Sequence, residues 1–191
     1  MPVTLPNLIS IGRLFLVPFT VWLIVQGDAV TAFWIFILAG VSDAVDGFLA
    51  RQFNLRSELG SYLDPLADKV LLVSIYVTLA VLNEIPLWVT ILIVSRDILI
   101  IGAVMLAGML GQPVAMRPRV ISKANTAAQI VLAGLVLGDL AFPPDLAMVR
   151  NVMVVLVGFL TIASTLVYAV DWVRHMGSDG TGSAPADGGR P

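Results

Sequence analysis

Four aspartates stand within one short stretch of an otherwise apolar chain: Asp43, Asp46, Asp64 and Asp68. The members of the first pair are three positions apart and those of the second pair four apart, so each pair shares one face of a helix. Like charges at membrane depth are costly and repel one another. A divalent cation relieves that repulsion, and hard cations prefer carboxylate oxygen. The spacing therefore predicts a carboxylate cage for one or two metal ions, provided that the two helix faces turn toward each other.

Six apolar helices are the elements that must position these aspartates. About 20 apolar residues cross a bilayer as a helix, and short polar or Gly- and Pro-containing breaks separate six such segments. The sequence predicts an all-α fold, a polytopic membrane helical bundle with six transmembrane helices near residues 8–26, 29–50, 60–82, 86–110, 121–141 and 147–173. Residues 1–176 then form one membrane domain, and the small and polar residues 177–191 are expected to be a disordered cytoplasmic tail.

The composition agrees with a membrane protein. Of the 191 residues, 58% are hydrophobic and 13% are charged, with a mean hydropathy of +0.95, whereas a soluble domain has about 25% charged residues. The chain has no cysteine, which excludes disulfides, thiolate metal sites and a cysteine nucleophile. The first residues lack the basic start of a signal peptide, so no cleavable signal is expected. No nucleic-acid partner is expected either.

Cations near the helix ends predict the orientation in the membrane. With the N-terminus inside, Arg150 is the outer cation, and the inner side holds Arg13, Arg51, Arg56, Lys69, Arg117, Arg119, Lys123, Arg174 and Arg190. Both termini are then cytoplasmic, and the aspartate cage opens toward the cytoplasm. We expect an integral protein of the bacterial inner (cytoplasmic) membrane.

The aspartates belong to a longer pattern with fixed spacing. It reads Asp43-x2-Asp46-Gly47-x2-Ala50-Arg51-x8-Gly60-x3-Asp64-x3-Asp68. All eight positions match the signature of the CDP-alcohol phosphatidyltransferases, which this chain resembles. The resemblance implies six membrane helices, two divalent cations near the cytoplasmic face, CDP-diacylglycerol as a lipid substrate, and a homodimer. Clustered carboxylates with no histidine or cysteine nearby favour Mg²⁺ or Mn²⁺ as the cations. It also implies that residues 1–176 form the CDP-alcohol phosphatidyltransferase membrane domain.

Each position of the signature then has an expected task. The four aspartates ligate the metals, and the resemblance makes Asp68 the general base on the acceptor hydroxyl as well. Two metals can clamp a diphosphate and stabilise a displacement at phosphorus. Arg51 can donate to a phosphate or hold the carboxylates. Residues with no or small side chains let the nucleotide of CDP-diacylglycerol approach the backbone; these are Gly47, Ala50 and Gly60.

Two alternatives use the same residues differently. Glycine and alanine in membrane helices commonly serve helix packing. Four aspartates within a membrane could instead form the ion site of a transporter. The complete spacing favours the enzyme, and release of CMP from CDP-diacylglycerol separates the two classes.

A basic cluster precedes and begins the fifth helix: Arg117, Arg119 and Lys123. We interpret it as a clamp for the phosphate of the acceptor; the alternative is an anchor of the positive-inside kind. A polar stripe continues down this helix at Ser122, Asn125, Thr126 and Gln129.

Three further charges lie within apolar segments. Arg96 and Asp97 are adjacent, so they are not expected to face each other on a helix. Each is expected to point into the bundle, either in an ion pair with another helix or in contact with a substrate. Arg13, at the start of the first helix, could cover the nucleotide or reach outward to the membrane interface.

Subfamily features concern the acceptor. The segments TLPNLISIGRL, LDPLADK, SRDILIIGAV and RVISKANTAAQIVLA are similar to those of the CMP-forming cardiolipin synthases. Phosphatidylglycerophosphate synthases share some of them, but more often have Arg-Glu in place of Arg96-Asp97 and GKxKT in place of the SKANT segment. The resemblance therefore favours transfer of a phosphatidyl group to phosphatidylglycerol, forming cardiolipin and CMP. The runner-up is transfer to sn-glycerol 3-phosphate, forming phosphatidylglycerophosphate.

Overall fold

Six helices run through the part of the chain that the structure describes. The computed structural model describes the backbone of residues 5–52, 58–109, 120–142 and 146–178, and the side chains of residues 12–43, 45, 67, 69–102, 120–142 and 146–170. In these ranges the elements are α1 (Leu5–Val25), α2 (Ala29–Gln52), α3 (Glu58–Val81), α4 (Leu87–Met109), α5 (Val120–Ala141) and α6 (Ala147–Ser178), with no strand. The predicted all-α fold is confirmed, and every helix end lies within five residues of its predicted position.

Local chemistry explains where several helices begin and end. Asp28 precedes α2, and its carboxylate accepts the backbone N–H of Thr31 at 3.2 Å, as an N-cap does. Gly27, at the end of α1, has a φ of 80°, which glycine adopts without strain. Asn83, after α3, has a φ of 62°, in the left-handed region that asparagine tolerates. These turns reverse the chain between consecutive helices.

The helices pack around a core that α3 and α5 dominate. α1 packs most extensively on α3, α5 packs on α2 and α6, and α4 packs on α6 and less extensively on α3. Ile75 and Leu79 of α3 and Leu132 and Val136 of α5 are fully buried. Small residues allow close helix contact in a membrane protein. At Gly134 of α5, for example, a Cβ would lie 3.3 Å from the Phe36 ring of α2.

Apolar side chains cover the outside of the bundle. Phe15, Val120 and Met148 are exposed to 75%, 84% and 82%, and apolar surface on this scale marks contact with something other than water. Among the described residues, Val120–Ala141 and Ala147–Val170 are long and apolar enough to cross a membrane. Shorter apolar helical runs are Gly12–Val25, Ala29–Asp43 and Lys69–Val81. These surfaces indicate that the protein associates with a membrane.

Candidate functional site

The eight-position signature is divided between two consecutive helices. Asp43, Asp46, Gly47, Ala50 and Arg51 lie in the second half of α2, and Gly60, Asp64 and Asp68 lie in the first half of α3. Five residues, 53–57, join the two helices and lie outside the described part of the chain. Of the signature's side chains, the structure describes that of Asp43. The signature residues lie on helices, as predicted. That the two carboxylate pairs face each other stays a prediction.

Asp43 is held by a cation from the first helix. Arg13 Nη1 donates to Asp43 Oδ1 at 2.8 Å, and the arginine side chain is only 3% exposed while that of Asp43 is 43% exposed. Arg13 therefore does not reach outward to the membrane interface, which was one of its two expected roles. A carboxylate has about four lone-pair directions, so a single bond to Oδ1 leaves Asp43 able to ligate a cation as well.

A cavity of about 340 Å³ opens beside this ion pair. Arg13, Asp43 and Lys69 are its charged lining residues, and most of the other lining residues are apolar, including Phe36, Leu72 and Ile130. Because residues three and four apart share a helix face, the backbone of Asp68 lies one turn before the lining residues Leu71 and Leu72 on α3. The cavity thus borders α3 from Lys69, the neighbour of the predicted base, to Leu72, and it lies between helices α1, α2, α3 and α5.

A chain of three charges connects α3 to α4. Lys69 Nζ donates to Asp97 Oδ2 at 2.7 Å, and Arg96 Nη1 donates to Asp97 Oδ1 at 2.7 Å. Arg96 and Asp97 are both buried, as predicted. The expectation that these neighbours would not meet is wrong, because the long arginine side chain curls back to the adjacent carboxylate. The cross-helix ion pair, one of the two expected alternatives, is formed with Lys69.

Arg96 is also held by α5 and α6. Its Nη2 donates to the hydroxyl of Ser122 and, at 3.2 Å, to that of Ser164. The Tyr168 ring lies 5.7 Å from the guanidinium carbon, within the range of a cation–π contact. Ser164 and Tyr168 were not predicted from the sequence. The signal that could have found them is a run of polar residues at helical spacing on α6: Thr161, Ser164, Thr165 and Tyr168.

The polar stripe on α5 is a buried face. Ser122, Asn125 and Gln129 are buried, and Thr126 borders the cavity. Thr161 of α6 donates to Asn125 Oδ1 at 3.0 Å. Tyr76 of α3 donates to the backbone carbonyl of Gln129 at 2.9 Å. Side chains of the stripe therefore bond to α4 and α6, and the backbone of α5 bonds to α3.

The basic cluster is described only in part. Lys123 lies in the first turn of α5, where it is exposed, and its neighbour Ser122 is buried. Arg117 and Arg119 lie outside the described residues. The exposure of Lys123 leaves its ammonium available for a phosphate, and the clamp stays a prediction.

The donor chemistry fits a hard divalent cation. The predicted ligands are carboxylates, and oxygen is the donor that Mg²⁺ and Mn²⁺ prefer. Asp43, the predicted ligand whose side chain is described, is partly exposed beside the cavity. Within the described ranges no group of three or more His, Cys, Asp or Glu residues has the geometry of a metal site; the side chains of Asp46, Asp64 and Asp68 lie outside those ranges.

Comparison with known proteins identifies the family. The family model for CDP-alcohol phosphatidyltransferase matches residues 3–167, which include the whole signature and helices α1–α5. The chain belongs to the CDP-alcohol phosphatidyltransferase family.

Named relatives differ in the reaction that their names give. A cardiolipin synthase (CMP-forming) of Homo sapiens is 36% identical over 183 residues, covering 87% of this chain and 61% of the relative. A cardiolipin synthase (CMP-forming) / mitochondrial hydrolase fusion protein of Schizosaccharomyces pombe is 35% identical, covering 87% and 31%. A chloroplastic CDP-diacylglycerol–glycerol-3-phosphate 3-phosphatidyltransferase of Oryza sativa is 35% identical, covering 88% and 56%. The chain thus spans less than two thirds of these relatives' own lengths.

Proposed function

We propose that the protein transfers the phosphatidyl group of CDP-diacylglycerol to phosphatidylglycerol, forming cardiolipin and CMP. The observation that carries the reaction class is the complete signature on α2 and α3, inside a family match over residues 3–167. The lipid substrates agree with the apolar exterior of the bundle and with the apolar walls of the cavity beside Asp43.

Four carboxylates would hold two divalent cations, Mg²⁺ or Mn²⁺. These are Asp43, Asp46, Asp64 and Asp68. When bound, the cations neutralise the diphosphate of CDP-diacylglycerol and stabilise the charge that develops at phosphorus. Arg13 contributes by fixing one oxygen of Asp43, which lowers the freedom that this carboxylate would lose on binding a cation.

Asp68 serves as the general base. The acceptor hydroxyl loses its proton to the Asp68 carboxylate as its oxygen bonds to the phosphorus attached to diacylglycerol. The bond from that phosphorus to the bridging oxygen breaks, and CMP leaves with the electron pair on its phosphate. Arg51 donates to this phosphate. Small residues allow the nucleotide to approach the helices closely: Gly47, Ala50 and Gly60.

Phosphatidylglycerol is the acceptor that the subfamily segments support. Two of those segments meet in the structure, because Arg96 of the SRD segment donates to Ser122 of the SKANT segment. The two segments are therefore linked by a side-chain hydrogen bond between α4 and α5. Arg117, Arg119 and Lys123 would bind the acceptor's phosphate. Glycerol 3-phosphate is the second candidate, since the rice relative is as similar as the human one.

The proposal includes a placement in the membrane. All six helices cross the bilayer, residues 1–176 form the enzymatic domain, and residues 177–191 form a cytoplasmic tail. The distribution of Lys and Arg supports a cytoplasmic active site in the inner membrane of a bacterium. The family resemblance supports a homodimer.

An acceptor panel tests the proposed reaction. Purified protein in detergent micelles receives CDP-diacylglycerol with either phosphatidylglycerol or glycerol 3-phosphate, and the lipid products and CMP are measured by mass spectrometry. We expect cardiolipin and an equal amount of CMP with phosphatidylglycerol, and slow turnover with glycerol 3-phosphate. Phosphatidylglycerophosphate without cardiolipin would establish the second candidate. No CMP with either acceptor would favour the transporter.

A further inference from the structure

Lys69 lies where its charge could interfere with the metal site. It follows the predicted base Asp68 directly in α3, and it borders the same cavity as Asp43. A lysine ammonium is a compact charge on a flexible four-carbon stem, so it can change partners among carboxylates within reach. The structure shows its ammonium on Asp97 of α4.

Asp97 is built to keep that ammonium. Its carboxylate is buried and already accepts from Arg96, which in turn is fixed by Ser122 and Ser164. Asp97 is therefore fixed through Arg96, whose guanidinium is held by hydroxyls of α5 and α6. The three charges Lys69, Asp97 and Arg96 sum to one positive charge. Without Asp97, both cations would lose their shared partner in a medium of low dielectric constant.

We propose that Asp97 is a positioning residue that draws the Lys69 ammonium away from the metal-binding carboxylates. In its absence the ammonium would turn to the acidic cluster that includes Asp43, neutralise part of its charge and compete with the divalent cations. The inference rests on the proposed metal-dependent function. On this proposal, Arg96 and Asp97 of α4 together preserve the negative charge of the metal site.

A simpler role would give a different pattern. If the Lys69–Asp97 pair only tied α3 to α4, loss of either partner would disturb the site alike, and loss of both would be no better than loss of one. If Asp97 acts by restraining Lys69, removal of Lys69 makes Asp97 dispensable for metal binding. The double variant Lys69→Met/Asp97→Asn retains the formal charge of the natural trio, because it removes one positive and one negative charge.

Direct measurement of Mn²⁺ binding separates these possibilities. Full-length protein in detergent is titrated with Mn²⁺, and free Mn²⁺ is followed by electron paramagnetic resonance. The variants are Asp97→Asn, Lys69→Met and the double variant, with Asp46→Asn as a control that removes a proposed ligand. Asp97→Asn should weaken binding by about tenfold or more, as expected for an added positive charge a short distance from the cation. Lys69→Met and the double variant should bind within about threefold of the natural protein, because neither contains an unrestrained ammonium.

Several outcomes would overturn the inference. Unchanged binding in Asp97→Asn, or a double variant as weak as Asp97→Asn, would show that Asp97 does not act through Lys69. Thermal unfolding identifies variants that do not fold. If Asp97→Asn is one of them, Lys69→Met and the double variant decide, because weakening of either by more than about threefold would mean that the lysine helps to build the site. Absence of Mn²⁺ binding by the natural protein would overturn the proposed function itself, and the inference with it.

Discussion

The two ends of the bundle use charge in different ways. At the end that the Lys and Arg distribution predicts to be the outer one, Arg150 Nη1 lies 3.5 Å from Glu84 and 3.4 Å from Asp139, and Asp139 also accepts the backbone N–H of Leu146 at 2.7 Å. All of these residues lie in or near the connections between helices. In the half predicted to be the inner one, charges stand within helices, pair at 2.7–2.8 Å and border a cavity. The outer cluster (Glu84, Asp139 and Arg150) links the connections between helices. The inner cluster (Arg13, Asp43, Lys69, Arg96 and Asp97) holds charge inside the bundle.

Position along the helix, more than residue type, separates these roles. A charge near a helix end can remain close to water, so it costs little and contributes little. A charge in the middle of a membrane helix is expensive unless it is paired or functional. Asp43 and Asp97 each pair with a cation of another helix, which lowers the cost of their charge. The proposed metals would do the same for the other aspartates of the signature. Four predictions test the contrast, from the largest expected effect to the smallest.

Removal of divalent cations should abolish turnover. The predicted ligands are carboxylates without a histidine or cysteine among them, so the chemistry depends on oxygen-bound metal. CMP release is measured before and after treatment with EDTA, and again after addition of Mg²⁺ or Mn²⁺, which should restore it. Full activity in metal-free buffer would remove the proposed distinction between the inner cluster and the outer one.

Asp68→Asn should lower turnover by about 10²–10⁴-fold, the usual contribution of a general base. Binding of CDP-diacylglycerol should weaken far less, because a base acts in the transition state. Turnover and lipid binding are measured on the same preparation. Asp28→Asn is the matched control at the outer side, since asparagine also caps a helix, and its turnover should be normal. Near-normal turnover in Asp68→Asn would contradict the assignment of the base.

Loss of either Arg119 or Lys123 should raise the acceptor's KM and leave that for CDP-diacylglycerol nearly unchanged. A hydrogen bond to a charged group contributes about 1.5–3 kcal/mol, which corresponds to a roughly tenfold or larger rise. Steady-state kinetics of Arg119→Gln and Lys123→Gln measure this, with Lys123→Arg as the control that keeps the charge. An equal effect on both substrates, or lower expression alone, would identify the cluster as a membrane anchor.

Arg150→Gln should have the smallest effect. Its two ion pairs are long, and the side chains of Arg150 and Glu84 are partly exposed; exposed pairs contribute about 0.2–1 kcal/mol each. The unfolding temperature in detergent should fall slightly, and CMP release should be unchanged. A large loss of activity would mean that the outer cluster communicates with the site, and the contrast between the two ends would fail.

The fold was predictable because its signal is local. Apolar segments of membrane length and the breaks between them located all six helices in the described part of the chain. The polar stripe on α5 was visible for the same reason, since Ser122, Asn125 and Gln129 repeat at helical spacing.

The partners of the polar residues were not predictable in the same way. Arg13 meets Asp43 across 30 positions, and Arg96 meets Ser164 across 68. Such pairs depend on how helices rotate against one another, which spacing within one helix does not determine. The error at Arg96 and Asp97 had another cause. Helical spacing indicates where Cβ atoms point, but the arginine side chain is long enough for its guanidinium to reach the carboxylate of the next residue.

The buried polar face of α5 has a consequence for how the protein enters the membrane. As a single segment, α5 has a mean hydropathy of 1.5, against 2.3 for the apolar part of α6. The difference reflects side chains that find partners only on other helices, such as the Asn125–Thr161 hydrogen bond to α6. Insertion of α5 alone into the bilayer is therefore less favourable than insertion of α6 alone, because unpaired amides are costly in lipid. Helix α6 follows α5 closely along the chain, so the two helices should insert together as a hairpin. The favourable insertion of α6 then offsets the cost of inserting the more polar α5.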